Sequence, residues 1–507
     1  MEKKIRTILF FICLLLFFII APLAVLYSQG YRFNLETKKI TQTGGLFLKV
    51  VPSDAEVYIN GELEEKTSFL FGSILIENLL PKTYKIEVKK EGYHPWQKSL
   101  EIKERQVTEV KNIVLVPKLP EFILLEKDVE NFWFSPTKKK VVYKKINETG
   151  LWNLELFDIP TNTRRVILSQ EKLKETDSDT QQNEELMDVK WSLNEERILV
   201  DELRSSSPFA VARVLEKTQK NKYFVIELAK TPAVLTSLDF LGENIKEVSF
   251  NPENSQEIFF IVSPKYPNNS SKKMGYLFRV DYSKKEIPRL VLTSKPELKT
   301  PLLPKEEHLI TFIIFGGDII WLADAGFLYK SNFDSGEILE VLNLKPHPVK
   351  EEVNYEIFMA DISKIFLKEG DSLYYLDPEL REFKKVSEKV SSLSFSPDLK
   401  KIIYFSDSEI WLFYLERLYD QPQREAQEKT LVGRWAEKIN KCSWFTSHYL
   451  IFNTGNKIKV AETDDRDRIN IIDLAEFNNP EIFLGENNKK LYILTNKNIV
   501  VASGLLP

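Results

Sequence analysis

Hydrophobic and polar positions fall into three regimes along the chain. From Ile5 to Tyr27 the residues are almost all apolar, with no charge from Thr7 onward. That length matches the ~20 residues an α-helix needs to cross a bilayer, and the dominant Leu, Ile and Phe are favourable at the membrane centre. Beyond about Gly44 the pattern becomes alternation. Ala55-Glu56-Val57-Tyr58-Ile59 runs directly into Asn60-Gly61, a pair that tolerates positive φ at both central positions of a type I′ hairpin. Tyr84, Ile86 and Val88 alternate with Lys85, Glu87 and Lys89, and Leu100 and Ile102 begin a further strand. Period-2 alternation leaves one face buried and the other wet. The spacing predicts a small antiparallel β-sandwich at 44–117.

The third regime, 118–507, is a repeat. Its clearest copies are Phe132-Trp133-Phe134-Ser135-Pro136, followed by Val141-Val142-Tyr143, and Leu393-Ser394-Phe395-Ser396-Pro397-Asp398, followed by Ile402-Ile403-Tyr404. Weaker copies surround Trp191, Phe250 and Trp444. Each has a strand ending in an aromatic, a polar turn and a second apolar strand. A third strand often follows, as in Glu409-Ile410-Trp411-Leu412-Phe413. With a fourth strand this is one β-propeller blade, and the aromatics recur at roughly 50–60 residue steps. Two degenerate units, His308–Leu344 and Tyr355–Ser387, fill the one long gap. The last unit, Glu481–Leu506, has three visible strands, and Pro120–Leu125 is placed to supply the fourth. Such pairing would remove an exposed sheet edge. Seven or eight blades are expected. The polar, acidic stretch 174–186 reads as a loop between blades.

Charge decides the orientation expected for the apolar run. Lys3, Lys4 and Arg6 precede it, and Arg32 is the nearest basic residue after it. The positive-inside rule leaves 1–6 as a cytoplasmic stub, 7–27 as the membrane helix, 28–43 as a juxtamembrane linker and the remainder extracytoplasmic. A cleaved signal peptide fits less well. Its apolar region is shorter and ends in a small-x-small site, whereas cleavage after Ala24 or Ser28 would put Pro22 or Leu26 third from the cut. Cys13 lacks the small residues of a lipoprotein site. Lys+Arg 70 against Asp+Glu 74 gives a net charge of −4, which argues against nucleic acid as a partner. Cys13 and Cys442 are too far apart to suggest a disulfide, and His94, His308, His347 and His448 lack zinc spacing.

Within the sandwich, Pro52-Ser53-Asp54-Ala55-Glu56-Val57-Tyr58-Ile59-Asn60-Gly61, then Lys66-Thr67-Ser68, Leu80-Pro81, Tyr84 and Glu91-Gly92-Tyr93-His94-Pro95-Trp96, resemble a PEGA domain. Ser53-Asp54 replaces the eponymous Glu-Gly, Ser68 replaces a proline and Lys82 a glycine. The resemblance implies a prokaryotic surface module with no catalytic residues. Tyr93 and Trp96 are the candidate ligand-binding side chains, as a carbohydrate-stacking surface; packing in or over the core is the competing role. The Phe-Ser-Pro-Asp form of the repeat is similar to TolB-type and WD-repeat propellers, with Leu399 where Gly is usual.

Catalytic chemistry is not announced. Asp464-Asp465-Arg466-Asp467-Arg468 is the densest carboxylate cluster, but a calcium loop needs alternating oxygen ligands, a bend Gly and a terminal Glu. It reads as a solvated turn. No nucleophile elbow, Walker loop or dinucleotide fingerprint occurs, and no hydrolase domain follows the last blade before Pro507. No catalytic, metal or cofactor-binding residue is nominated, and no cofactor is expected. The sequence therefore leads to a non-enzymatic, membrane-anchored binding or scaffold protein of the cell envelope, with an envelope protein or polysaccharide as partner. The alternative is an exported propeller enzyme acting on envelope polysaccharide, since a propeller can bring distant acids together without a local motif.

Overall fold

The computed structural model describes residues 3–35, 38–172, 184–204, 221–242, 245–262, 276–284, 288–291, 309–350, 353–485 and 490–505. One α-helix, Lys3–Ser28, opens the chain. Its segment Leu9–Ser28 is long and apolar enough to cross a membrane. The helix begins ahead of the expected span because Lys3, Lys4 and Arg6 are themselves good helix formers. The stretch expected as a linker is instead a two-stranded hairpin, Tyr31–Asn34 against Lys39–Gln42. Thr43 closes its base, donating to the Gly30 carbonyl from its backbone N–H and from its hydroxyl, each at 2.9 Å.

The chain forms two compact units. One comprises Met1–Ile123, Leu393–Ile493 and Val501–Pro507, the other Leu124–Ser392 and Leu494–Val500. In the first, the sandwich pairs a four-stranded sheet (Glu62–Lys66, Glu56–Ile59, Thr83–Lys89, Trp96–Glu101) with a three-stranded one (Ser73–Leu79, Gly44–Val51, Val107–Val114). Asn60 and Gly61 have φ of 53° and 91°, as a type I′ turn requires. The expectation of a purely antiparallel sandwich needs correction. Gly44–Val51 and Val107–Val114 run parallel, because the chain visits the other sheet between them. Leu48, Val57, Ile86, Val88, Trp96, Leu100 and Val110 form the core between the sheets.

Eight four-stranded sheets follow the sandwich among the described residues, and the fold is a β-propeller. Blades 1 to 7 occupy 129–169, 184–237, 245–290, 309–341, 355–387, 392–434 and 439–476. Blade 8 joins Glu481–Leu484, Lys490–Thr495 and Asn498–Ser503 to Phe122–Glu126, next to the C-terminal strand. Blades 1 to 5 lie in the second unit, and blades 6 and 7 pack with the sandwich in the first. Within the second unit hydrophobic cores sit between successive blades from 1 to 5, and within the first Ile403, Leu412, Trp444 and Phe452 lie between blades 6 and 7. The degenerate units expected at His308–Leu344 and Tyr355–Ser387 are blades 4 and 5, although His308 itself lies outside the described residues. So does the loop expected at 174–186, except that Glu184–Leu186 open the first strand of blade 2.

The repeated turn has a common construction. Ser135, Ser192 and Ser396 are buried, and each takes a backbone N–H five residues on with its hydroxyl (Lys140 at 3.1 Å, Arg197 at 3.0 Å, Lys401 at 3.1 Å). Each also accepts, at its carbonyl, the N–H of a residue with positive φ: Lys138, Glu195 and Leu399. The serine hydroxyl closes the turn, which leaves the left-handed position open to residues other than Gly. Ser396→Ala would leave the buried Lys401 N–H short of its hydroxyl partner, at a cost of about 1–3 kcal/mol. Leu399→Gly should be neutral or stabilising, since it removes left-handed strain. Urea unfolding of the two variants checks both outcomes.

Candidate functional site

The sandwich strand Trp96–Glu101 alternates buried and open positions, with Trp96, Lys98 and Leu100 turned inward. An inward lysine breaks the apolar pattern, and its surroundings show why it is tolerated. Lys98 is fully buried, and its ammonium lies 2.7 Å from Glu462 Oε1. It also donates to the carbonyl oxygens of Asp464 at 2.7 Å, Arg466 at 3.0 Å and Arg468 at 2.5 Å. Glu462, at the end of a blade 7 strand, accepts further bonds from Trp96 Nε1 at 2.8 Å and from the backbone and side-chain nitrogens of Asn470 at 3.0 and 2.8 Å. Burial pushes the Glu462 carboxyl up, against the pull of Lys98, Trp96 and Asn470.

The turn expected to be solvated is therefore a cage. Its carbonyls point inward onto the ammonium, and its carboxylates are occupied outside. Asp464 accepts from Arg466 Nη2 at 2.6 Å. Burial opposes its ionisation, yet Arg466 and Lys98 hold it below the usual carboxylate range. Asp465 pairs with Arg424, and Asp467 takes the Ser99 N–H at 2.7 Å. The cation here is the chain's own lysine.

A second set of contacts covers the sandwich strand Val107–Val114. The Gln421 side chain accepts from the Glu109 N–H and donates to the Val107 carbonyl, both at 3.0 Å, as a neighbouring strand would. Farther along, the Val114 N–H donates to the Tyr449 hydroxyl at 3.0 Å. Between these caps lies a cleft of about 520 Å³, floored by Val110, Lys111 and Asn112 and walled by Tyr414, Tyr419, His448 and Asp464. Lys401, nearly buried on the same wall, lies 3.3 Å from Asp398. Burial depresses the Lys401 ammonium. Burial also works against Asp398, but Ser396 and Lys401 hold it below the usual range.

The two residues singled out from the sequence separate here. Trp96 is buried in the sandwich core and committed to Glu462, so it offers no stacking face. Tyr93 is half-buried and packs against the same core. The residues that build the junction, Lys98, Glu462, Gln421 and Tyr449, were not anticipated. Only Lys98 left a signal, as a charge at an inward position between Trp96 and Leu100. His347 makes a separate buried pair with Glu369 at 2.9 Å, inside the second unit. Cys13 and Cys442 are both unpaired thiols.

These features define a β-propeller protein that carries a β-sandwich and an apolar N-terminal helix. Residues 43–118 match the family described as the PEGA domain. No curated protein matches the chain. Among solved structures, the Dos1 propeller is similar over 76% of this chain and 95% of its own, at 12% identity and a TM-score of 0.44. BamB from Moraxella catarrhalis is similar over 76% and 98%, at 10% identity and a TM-score of 0.39.

Removing one partner of a buried pair leaves the other charge uncompensated, at about 3–5 kcal/mol. Lys98→Met should lower the melting temperature of the full chain in detergent. The double variant with Glu462→Leu should recover only part, because the three cage carbonyls stay unsatisfied. A second expectation concerns His448, whose pKa is lowered from 6.5 to about 4 by burial and by Lys401 nearby. Between those values the folded chain binds fewer protons than the unfolded one, so this residue's stabilisation grows with pH and is lost on acidification. His448→Gln should flatten the fall in melting temperature between pH 6.5 and 4.

Proposed function

We propose that the chain is a non-enzymatic, membrane-anchored protein of the cell envelope, with a cytoplasmic N-terminus and an extracytoplasmic sandwich and propeller. Its propeller is a platform that binds an envelope protein or polysaccharide. The observation that carries this reading is the cleft between the capped sandwich strand and blades 6 and 7. Its floor and walls come from elements fixed to each other by the Lys98 cage, so it is preorganised. Its walls mix aromatic faces with charges that are already paired, which suits recognition of a neutral or mixed surface.

The charge state of the cleft bears on the enzymatic alternative. Acid catalysis of glycoside cleavage needs a carboxyl held up to keep its proton. Asp398 and Asp464 are held down by their cationic neighbours, and Glu462, the cleft carboxyl that burial pushes up, is already taken by Lys98, Trp96 and Asn470, which supports binding over hydrolysis. The match to the PEGA family supports the extracytoplasmic side, and Lys3, Lys4 and Arg6, ahead of the apolar span Leu9–Ser28, support the orientation.

A photoreactive amino acid at Tyr419, exposed on the cleft wall, tests the platform in intact cells. Irradiation should give a discrete adduct containing an envelope protein or glycan. The same probe at Leu119, exposed outside the cleft, should give none. Identical patterns at the two positions would remove the cleft from the proposal.

A further inference from the structure

The hairpin Tyr31–Asn34/Lys39–Gln42 carries an apolar face that no part of the protein covers among the described residues. Register sets Phe33 opposite Ile40, so their side chains leave the same side of the ribbon, and Leu35 stands in the turn just past the strand. Phe33 is 57% exposed, Ile40 59% and Leu35 80%. Asn34, on the opposite face, is buried.

This face cannot drift far from the membrane helix. Only Gln29 and Gly30 separate the helix end from the first strand. The Arg32 guanidinium stacks 3.5 Å above the Tyr27 ring and donates to the Tyr27 carbonyl at 2.7 Å. Its other nitrogen reaches Asn78 of the sandwich at 2.9 Å. Helix end, hairpin and sandwich base are thus tied at one point. Lys38 and Lys39 stand at the far end of the ribbon.

We infer that the hairpin is a second membrane contact, lying in the lipid headgroup region with Phe33, Leu35 and Ile40 toward the acyl boundary and Lys38 and Lys39 on anionic headgroups. The inference rests on the anchor reading of the helix. Three large apolar side chains gain by leaving water, and the bilayer entered by the helix two residues away is the apolar medium within reach. Lysines near an anionic surface add to the attraction. With helix and hairpin both engaged, the sandwich base is held at the bilayer surface and cannot swivel freely on its anchor.

The test uses the full chain in vesicles of phosphatidylcholine and phosphatidylglycerol. A fluorophore is placed at position 35 through Leu35→Cys in a Cys13→Ser background, where the remaining Cys442 is buried. Quenching is compared between a nitroxide carried at shallow depth on lipid and iodide in the water. The reference label is at Leu119→Cys, a site 93% exposed. Position 35 should be quenched by lipid nitroxide and shielded from iodide, while position 119 shows the reverse. Lys38→Gln and Lys39→Gln should each lower the ratio of docked to free hairpin about fivefold. A label on native Cys13 separates the two readings. If Cys13 is quenched from lipid and position 35 from water, the hairpin inference falls and the anchor stands. If Cys13 is quenched from water, the anchor falls and the inference with it. Shielding of position 35 from both quenchers would mean that protein covers the face, which also overturns the inference.

Discussion

A lysine ammonium taken wholly out of water is the constraint around which the first unit is organised. Desolvating such an ion costs several kcal/mol, and only a full set of well-placed oxygens offsets it. Lys98 finds one carboxylate and three carbonyls, all from the third strand of blade 7 and the turn that leads to its fourth. Neither side is complete alone. The sandwich without the turn holds a bare buried cation, and the turn without the sandwich holds carbonyls and a glutamate with nothing to donate to them. That mutual need fixes where strand Trp96–Glu101 meets blade 7, and Gln421 and Tyr449 can cap the sandwich strand only because that placement is set.

Local repetition made the architecture legible. The aromatic, serine turn and second strand recur in blades 1, 2 and 6, which close the same tight turn over a buried core. Blades 4 and 5 lack that serine turn, yet their alternation and spacing still marked them. The sandwich was legible from its alternation and the Asn60-Gly61 turn, but its parallel strand pair was not, because alternation reports which face is buried and says nothing of direction. The hairpin at 31–42 passed for a linker because its strands are short and polar residues interrupt them.

The junction was hidden for a different reason. Its partners are 312 to 370 residues apart, and three of the four oxygens around Lys98 belong to the main chain. A carbonyl cage leaves no side-chain signature, so Asp464–Arg468 showed only its carboxylates, which take Arg466, Arg424 and the Ser99 N–H instead. Trp96 was noticed for its aromatic ring, while what it contributes is its indole N–H.

The cap on strand Val107–Val114 has a consequence in time. Val107 and Gln421 are 314 residues apart, and a chain growing at ~5–20 residues per second needs about 15–60 s to cover that distance. Throughout that interval the sandwich strand has been made and the glutamine that occupies its edge has not. The nascent chain therefore passes through a stage with unsatisfied backbone groups along one border, open to any passing strand. A holding factor at the ribosome or the export machinery would find its substrate there.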